Sequence, residues 1–128
     1  MADTSLSENR IGLLIWKTSN FWQTRLRKIL RSYNLSLNEF LILQSIHHLH
    51  SIKTKTHQNV ISSFIGIDIS VASVTFKSLE NKNYISRQFE TDNRKKIVKM
   101  LDGGKILFED ISPLIKREEK LMFEKLKN

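Results

Sequence analysis

The sequence predicts a mainly α-helical domain with one small β-hairpin, and three observations carry that reading. Apolar residues recur at three- and four-residue spacing over long stretches at both ends of the chain. Residues 84–89 and 96–101 switch to the alternation of strands. Pro occurs once and Gly four times in 128 residues, so few obligatory turns interrupt the helices. At 40% hydrophobic and 27% charged residues, residues 1–128 have the apolar content of a single domain with one ordinary core.

The elements follow in order. A first helix over about residues 6–33 carries Ile11, Leu14, Ile15, Thr18, Phe21, Trp22, Leu26, Ile29, Leu30 and Tyr33 on one face, with Ser5 and Glu8 as a capping box. At 1.5 Å per residue it is roughly 40 Å long, more than one small domain covers, so part of its apolar stripe awaits a second subunit. Asn34 breaks it and Ser36 caps a second helix through Leu37, Phe40, Leu41, Leu43, Ile46 and Leu49. Thr56 is placed to cap a third helix, through Val60, Ile61, Phe64 and Ile65, which Gly66 closes. Asp68 caps a fourth, with Val71 or Ala72, Thr75, Phe76 and Leu79 inward and Asn83 suited to a left-handed C-cap.

The hairpin has a polar, basic turn over residues 90–95. Gly103 and Gly104 punctuate, and Ile106, Leu107, Ile111, Leu114, Ile115, Leu121, Met122 and Leu126 form the stripe of a final helical region. Pro113 either kinks that region or, with Ser112 as cap, starts a new helix.

Composition excludes several function classes. There is no cysteine, which removes disulfides, thiolate metal sites, cysteine nucleophiles and thiol redox sensing. No apolar run approaches the ~18 residues of a membrane span, and the N-terminus MADTSLSENR lacks the pattern of a signal peptide, so a cytoplasmic protein is expected. No phosphate-cradling glycine loop, HExxH or GxSxG motif occurs, and neither an enzyme nor a cofactor is expected. His47, His48, His50 and His57 invite a metal, but consecutive histidines point to different helix faces and no metal site is assigned. The formal charge of +8, from 21 Lys and Arg against 13 Asp and Glu, favours an anionic partner, nucleic acid first. Half of that excess lies between residues 70 and 105, where eight basic residues face four acidic ones.

The order of elements, with Leu79, Glu80, Asn83, Arg87, Asp92 and Arg94 at the end of the fourth helix and through the hairpin, and Met100, Leu101 and Gly104 beyond, resembles the MarR family of transcriptional regulators. Asn83 stands where the family usually has Gly, which a left-handed residue tolerates, and Leu101 where it often has Thr. The resemblance implies a winged helix-turn-helix with long dimerisation helices, over about residues 6–33 and 104–128, and a DNA-binding lobe over about 36–101. Family members commonly run on into a further helix, whereas the sequence ends at Asn128, which implies a smaller or differently built dimer interface.

The fourth helix is then a recognition helix whose exposed Ser70, Ser73, Val74 and Lys77 meet base edges, with hydroxyls that donate or accept and a valine suited to a thymine methyl. The same serines also suit a merely solvated face. No arginine occurs among residues 68–82, so hydroxyls, methyl contacts and DNA shape carry the reading. Asp92, Arg94, Lys95 and Lys96 form the wing site, with Asp92 orienting Arg94 toward a minor groove. Arg25, Arg27, Lys28 and Arg31 either touch phosphates or are solvated. Ile11, Leu14, Ile15, Leu114, Ile115, Leu121 and Met122 form the dimerisation set. Trp16, Phe21 and Trp22 either line a pocket for a lipophilic effector or pack in the core or dimer. The expectation is a homodimeric regulator, most simply a repressor, on a pseudo-palindromic site in double-stranded DNA, open to an effector. A non-switching architectural or RNA-binding protein and a protein–protein adaptor on the same scaffold are the alternatives.

Overall fold

The computed structural model describes residues 10–89 and 96–127. In chain order these form α1 (Ile11–Arg31), α2 (Leu37–Ser51), α3 (Gln58–Ile65), α4 (Ile69–Asn81), β1 (Ile85–Phe89), β2 (Lys96–Met100) and α5 (Asp102–Lys127). Ser5, Glu8 and the hairpin turn lie outside the described residues, as does the side chain of Leu126.

Local chemistry explains most boundaries. α1 ends where Asn34 takes φ 53° and the Leu35 amide donates back to Leu30 at 3.2 Å. Ser36 starts α2 with a full capping box: its hydroxyl accepts from the Glu39 amide while the Glu39 carboxylate accepts from the Ser36 amide. Gly66, at φ 81°, closes α3, and the Asp68 carboxylate caps α4, which sets off at 118° to α3. Asn83 then takes φ 63°, as its place after α4 requires.

α2 is the central rod. Leu37, Phe40, Ile42, Leu43, Ile46 and Leu49 are all buried, because α1, α3, α4, α5 and β2 surround it. From α4, Ala72, Thr75, Phe76 and Leu79 face this core, whereas Val71 is 43% exposed. β1 and β2 pair antiparallel from Ile85 opposite Met100 to Phe89 opposite Lys96, with Ile85 and Val98 buried at the base.

Three boundaries differ from expectation. Thr56 does not cap α3. Its hydroxyl donates to the Val98 carbonyl at 2.6 Å and its own carbonyl accepts from the Val98 amide at 2.9 Å, so it extends the hairpin and His57 becomes the N-cap. Gly103 and Gly104 do not precede the last helix but form its first turn. Pro113 lies inside α5, which runs through it, so no second helix starts at Ser112.

Glu39 ties the α1–α2 corner to α4. Only 5% of its side chain is exposed. Besides the Ser36 amide, its carboxylate accepts from the Ser78 hydroxyl at 2.8 Å and from Lys82 Nζ at 3.0 Å, and Lys82 also donates to the Asn34 carbonyl. Burial pushes the Glu39 pKa up, but the bonds from Ser36, Lys82 and Ser78 outweigh it and hold the group below the ordinary glutamate range. A depressed folded pKa contributes stability that is complete above the unfolded value of about 4.3 and is lost as pH falls through the folded value. Glu39→Gln is therefore expected to destabilise the protein at pH 7 by about 1–3 kcal/mol. The gap to the wild type should narrow below about pH 4, as urea midpoints at the two pH values will show.

Candidate nucleic-acid interface

Helical geometry places Ser70, Val74 and Lys77 at i, i+4 and i+7 on the side of α4 opposite Ala72, Phe76 and Leu79, with Ser73 beside them. All four are exposed, Val74 to 72%. Ile69 and Asn81, absent from the sequence reading, are exposed on the same helix. Helical phase alone points to Asn81; Ile69 shares the phase of the buried Ala72 and Phe76, and only the tertiary fold shows that the core does not reach it.

The Ser70 hydroxyl donates to Asp68 Oδ1 at 2.6 Å and its amide donates to the same oxygen at 2.8 Å. These two bonds, the hydroxyl first, hold the exposed Asp68 carboxyl below its usual range. Because its proton is committed, the Ser70 oxygen faces outward as an acceptor.

Charge counting overstated what the lobe can offer an anion. Arg87, 12% exposed, donates to Glu80 Oε1 at 2.8 Å and to Gln58 Oε1 at 3.1 Å, locking β1 to α4 and α3 and keeping Glu80 below the ordinary carboxylate range. Lys82 is held by Glu39 and Asn34, and Arg25 is paired with Glu118 rather than simply solvated. Lys77 remains exposed on α4, and Lys96 lies half-buried with its ammonium 5.0 Å from the centre of the Phe89 ring. Asp92, Arg94 and Lys95 lie outside the described residues.

The structure divides the dimerisation set. Ile11 and Ile15 are exposed on α1, Leu14 is half-buried, and Leu114 and Leu121 are exposed on α5. Ile115 and Met122 are 1% and 5% exposed, used by the chain's own core, because they occupy the α5 face that packs on α1. Leu13, Trp16, Ile106 and Phe123 are exposed apolar residues that the sequence reading left out of that set.

Trp16, Phe21 and Trp22 do not converge on one pocket. Trp16 is 66% exposed, the Trp22 indole donates to Glu119 at 2.9 Å, and Phe21 lines a hollow of about 340 Å³ beneath Arg25. A larger cavity, about 620 Å³, opens between α2, β2 and the start of α5. Its walls include His47, His50, Lys55, Lys99, Lys105 and Phe108, with Ile46, Ile97 and Met100 as apolar floor. Two of the histidines, His47 and His50, thus share one cavity wall. His47 packs on Phe108 and His48 stacks on Phe64, and among the described residues no three His, Cys, Asp or Glu side chains gather as metal ligands. No single described helix is long and apolar enough to cross a membrane.

Two helices joined through a left-handed glycine, an outward stripe on the second and a hairpin packed behind it are the parts of a winged helix-turn-helix. The profile of the MarR family matches residues 35–97, the segment from just before the cap of α2 to the start of β2. The chain belongs to the MarR family. As such it is a DNA-binding transcriptional regulator, from a family of regulators and not of enzymes. It is 23% identical over 114 residues to the HTH-type transcriptional regulator YdcH of Bacillus subtilis, covering 88% of this chain and 77% of that one. The fold is similar to that of MepR from S. aureus, solved as a DNA complex, with a TM-score of 0.81 at 16% identity over 90% of this chain and 83% of that one. It is also similar to CouR of Rhodococcus jostii RHA1, solved with p-coumaroyl-CoA, with a TM-score of 0.77 at 18% identity over 90% and 78% of the two chains.

Proposed function

We propose that this MarR-family regulator is a homodimeric repressor that reads a pseudo-palindromic operator with one α4 in each half-site. The observation that carries the reading is the outward stripe of Ser70, Ser73, Val74 and Lys77 on a helix whose opposite face is buried, positioned by Glu39 and Arg87. In this reading Arg94, oriented by Asp92, reaches the flanking minor groove, with Lys95 and Lys96 beside it on the wing. The dimerisation helices, about 6–33 and 104–128, flank the lobe of about 36–101, and the exposed apolar residues of α1 and α5 meet their counterparts in the second copy.

The cavity between α2, β2 and α5 supports response to a small lipophilic effector, and its three lysines against the one carboxylate, Glu109, favour one that is anionic. That MepR was solved with DNA and CouR with an acyl-CoA is consistent with both halves of this reading. Because β2 forms one wall, an occupant there would act on the strand that carries the wing, shifting the population between DNA-competent and incompetent geometries.

Selection of bound sequences from a random duplex pool at about 150 mM salt, with the intact protein and a Ser73→Ala, Arg94→Ala variant, tests the proposal. An inverted repeat enriched by the intact protein and lost with the variant is the expected result. Salt-sensitive binding without a motif would favour an architectural or RNA-binding protein, and no binding at all an adaptor.

A further inference from the structure

We infer that α4 discriminates its operator through C5-methyl groups in the major groove, those of thymine and, where present, 5-methylcytosine. The inference rests on α4 being the recognition helix and names what that helix reads.

The first two turns of α4, the part of a recognition helix nearest the base edges, expose Ile69 to 74%, Val71 to 43% and Val74 to 72%, interspersed with Ser70 and Ser73. Between residues 69 and 80 there is no arginine, asparagine or glutamine. The contacts of arginine to guanine and of asparagine or glutamine to adenine are therefore unavailable there, Lys77 is the one side chain on this stretch able to bond both acceptors of guanine, and Asn81 stands at the far end of the helix. Three β-branched residues, weak helix formers, stand exposed on this helix: Val71 and Val74 lie off the buried stripe, and Ile69 extends that stripe past the core at the helix start. In the major groove the apolar partner is the methyl group at C5 of a pyrimidine.

The charge pattern selects the same occupant. Lys77 lies one turn beyond Val74 on the same stripe, where a phosphate would meet it. Ser70, with its proton given to Asp68, offers a lone pair to a base amino group. An adenine–thymine pair displays both complements, the adenine N6 donor and the thymine methyl. Lys77 supplies affinity for any duplex, while Val74, Ile69 and Ser70 supply the preference.

The experiment is selection from two random duplex pools, one built with thymine and one with uracil, which lacks only the methyl group, followed by titration of the selected site with either base. A buried methyl contact is expected to be worth about fourfold in affinity, and two symmetric half-sites about fifteenfold. The uracil pool should not return the same motif. Val74→Ala should narrow the difference between thymine and uracil duplexes and Val74→Ala with Ile69→Ala should nearly abolish it, both at exposed positions and so expected to fold, whereas Lys77→Ala should weaken both duplexes and keep their ratio. Replacing a contacted thymine pair by a cytosine pair should weaken binding, and methylating that cytosine at C5 should recover part of the loss. Recovery of the same motif from both pools, with affinities within twofold, would overturn the inference and leave the sequence-reading regulator standing. No motif from the thymine pool would overturn both.

Discussion

Ile15→Glu combined with Leu121→Glu is expected to yield a folded monomer that binds a two-half-site operator at least about a hundredfold more weakly than the wild type. Ile15 is 63% exposed and Leu121 50% exposed, so neither carboxylate enters the core of a single chain and the helical content should be unchanged. In a dimer the same positions would be covered, and an unpaired carboxylate there must be desolvated with nothing to compensate it. A monomer presents one α4 and loses the gain that comes from tethering a second copy at high effective concentration. Sedimentation and a binding titration on one sample read both effects. A variant that sediments and binds as the wild type does would remove α1 and α5 from the account of assembly.

Gly104→Ala is expected to destabilise the protein by about 3 kcal/mol, although it replaces one small residue by another. A Cβ at Gly104 would overlap the Tyr84 carbonyl oxygen and come within 3.0 Å of Met100 Cγ. That same carbonyl accepts from the Leu101 amide at 2.9 Å, so neither it nor the first turn of α5 can yield without disturbing the base of the hairpin. Gly12, on exposed α1, has nothing within 4 Å of the corresponding position. Gly12→Ala should therefore stabilise by about 0.5–1 kcal/mol. Urea denaturation of the two variants should move the midpoint in opposite directions, and a Gly104→Ala midpoint equal to that of the wild type would show that α5 and the hairpin are less closely docked than described.

What the sequence makes legible here is chemistry between near neighbours. Ser36, Gly66, Asp68 and Asn83 announce helix ends because the hydrogen bonds or left-handed angles they supply involve only residues a few places away. Thr56 misleads for the opposite reason: Val98, 42 residues on, outbids the local amide it might have capped. Gly104 reads as punctuation until the Tyr84 carbonyl supplies the reason for glycine inside a helix.

Apolar periodicity finds α1 and α5 but cannot assign faces when a helix has two. Leu114 and Ile115, or Leu121 and Met122, are neighbours in sequence yet point about 100° apart, and one of each pair is buried while the other is exposed. Arg87 and Lys82 count toward a basic surface until Glu80 and Glu39 are seen to hold them. The Ser36-x-x-Glu39 spacing could have revealed the capping half of the Glu39 network, but not its bonds to Ser78 and Lys82. The cavity beside β2 was illegible, since its walls come from α2, residues 54–56, β2 and α5, and only the tertiary fold brings them together.

In the proposed complex two copies of α4, held by α1 and α5, enter successive major grooves on one side of the duplex. Titration of the wild-type protein against the selected inverted repeat, one half-site alone, and the repeat with about 5 or about 10 base pairs inserted between its halves tests that geometry directly. Tight binding to the repeat is expected, with a loss of about a hundredfold or more on the single half-site and a comparable loss when an insertion of half a turn rotates one half-site to the opposite side. Equal affinity for all four duplexes would contradict it, because nothing would then couple one α4 to the other.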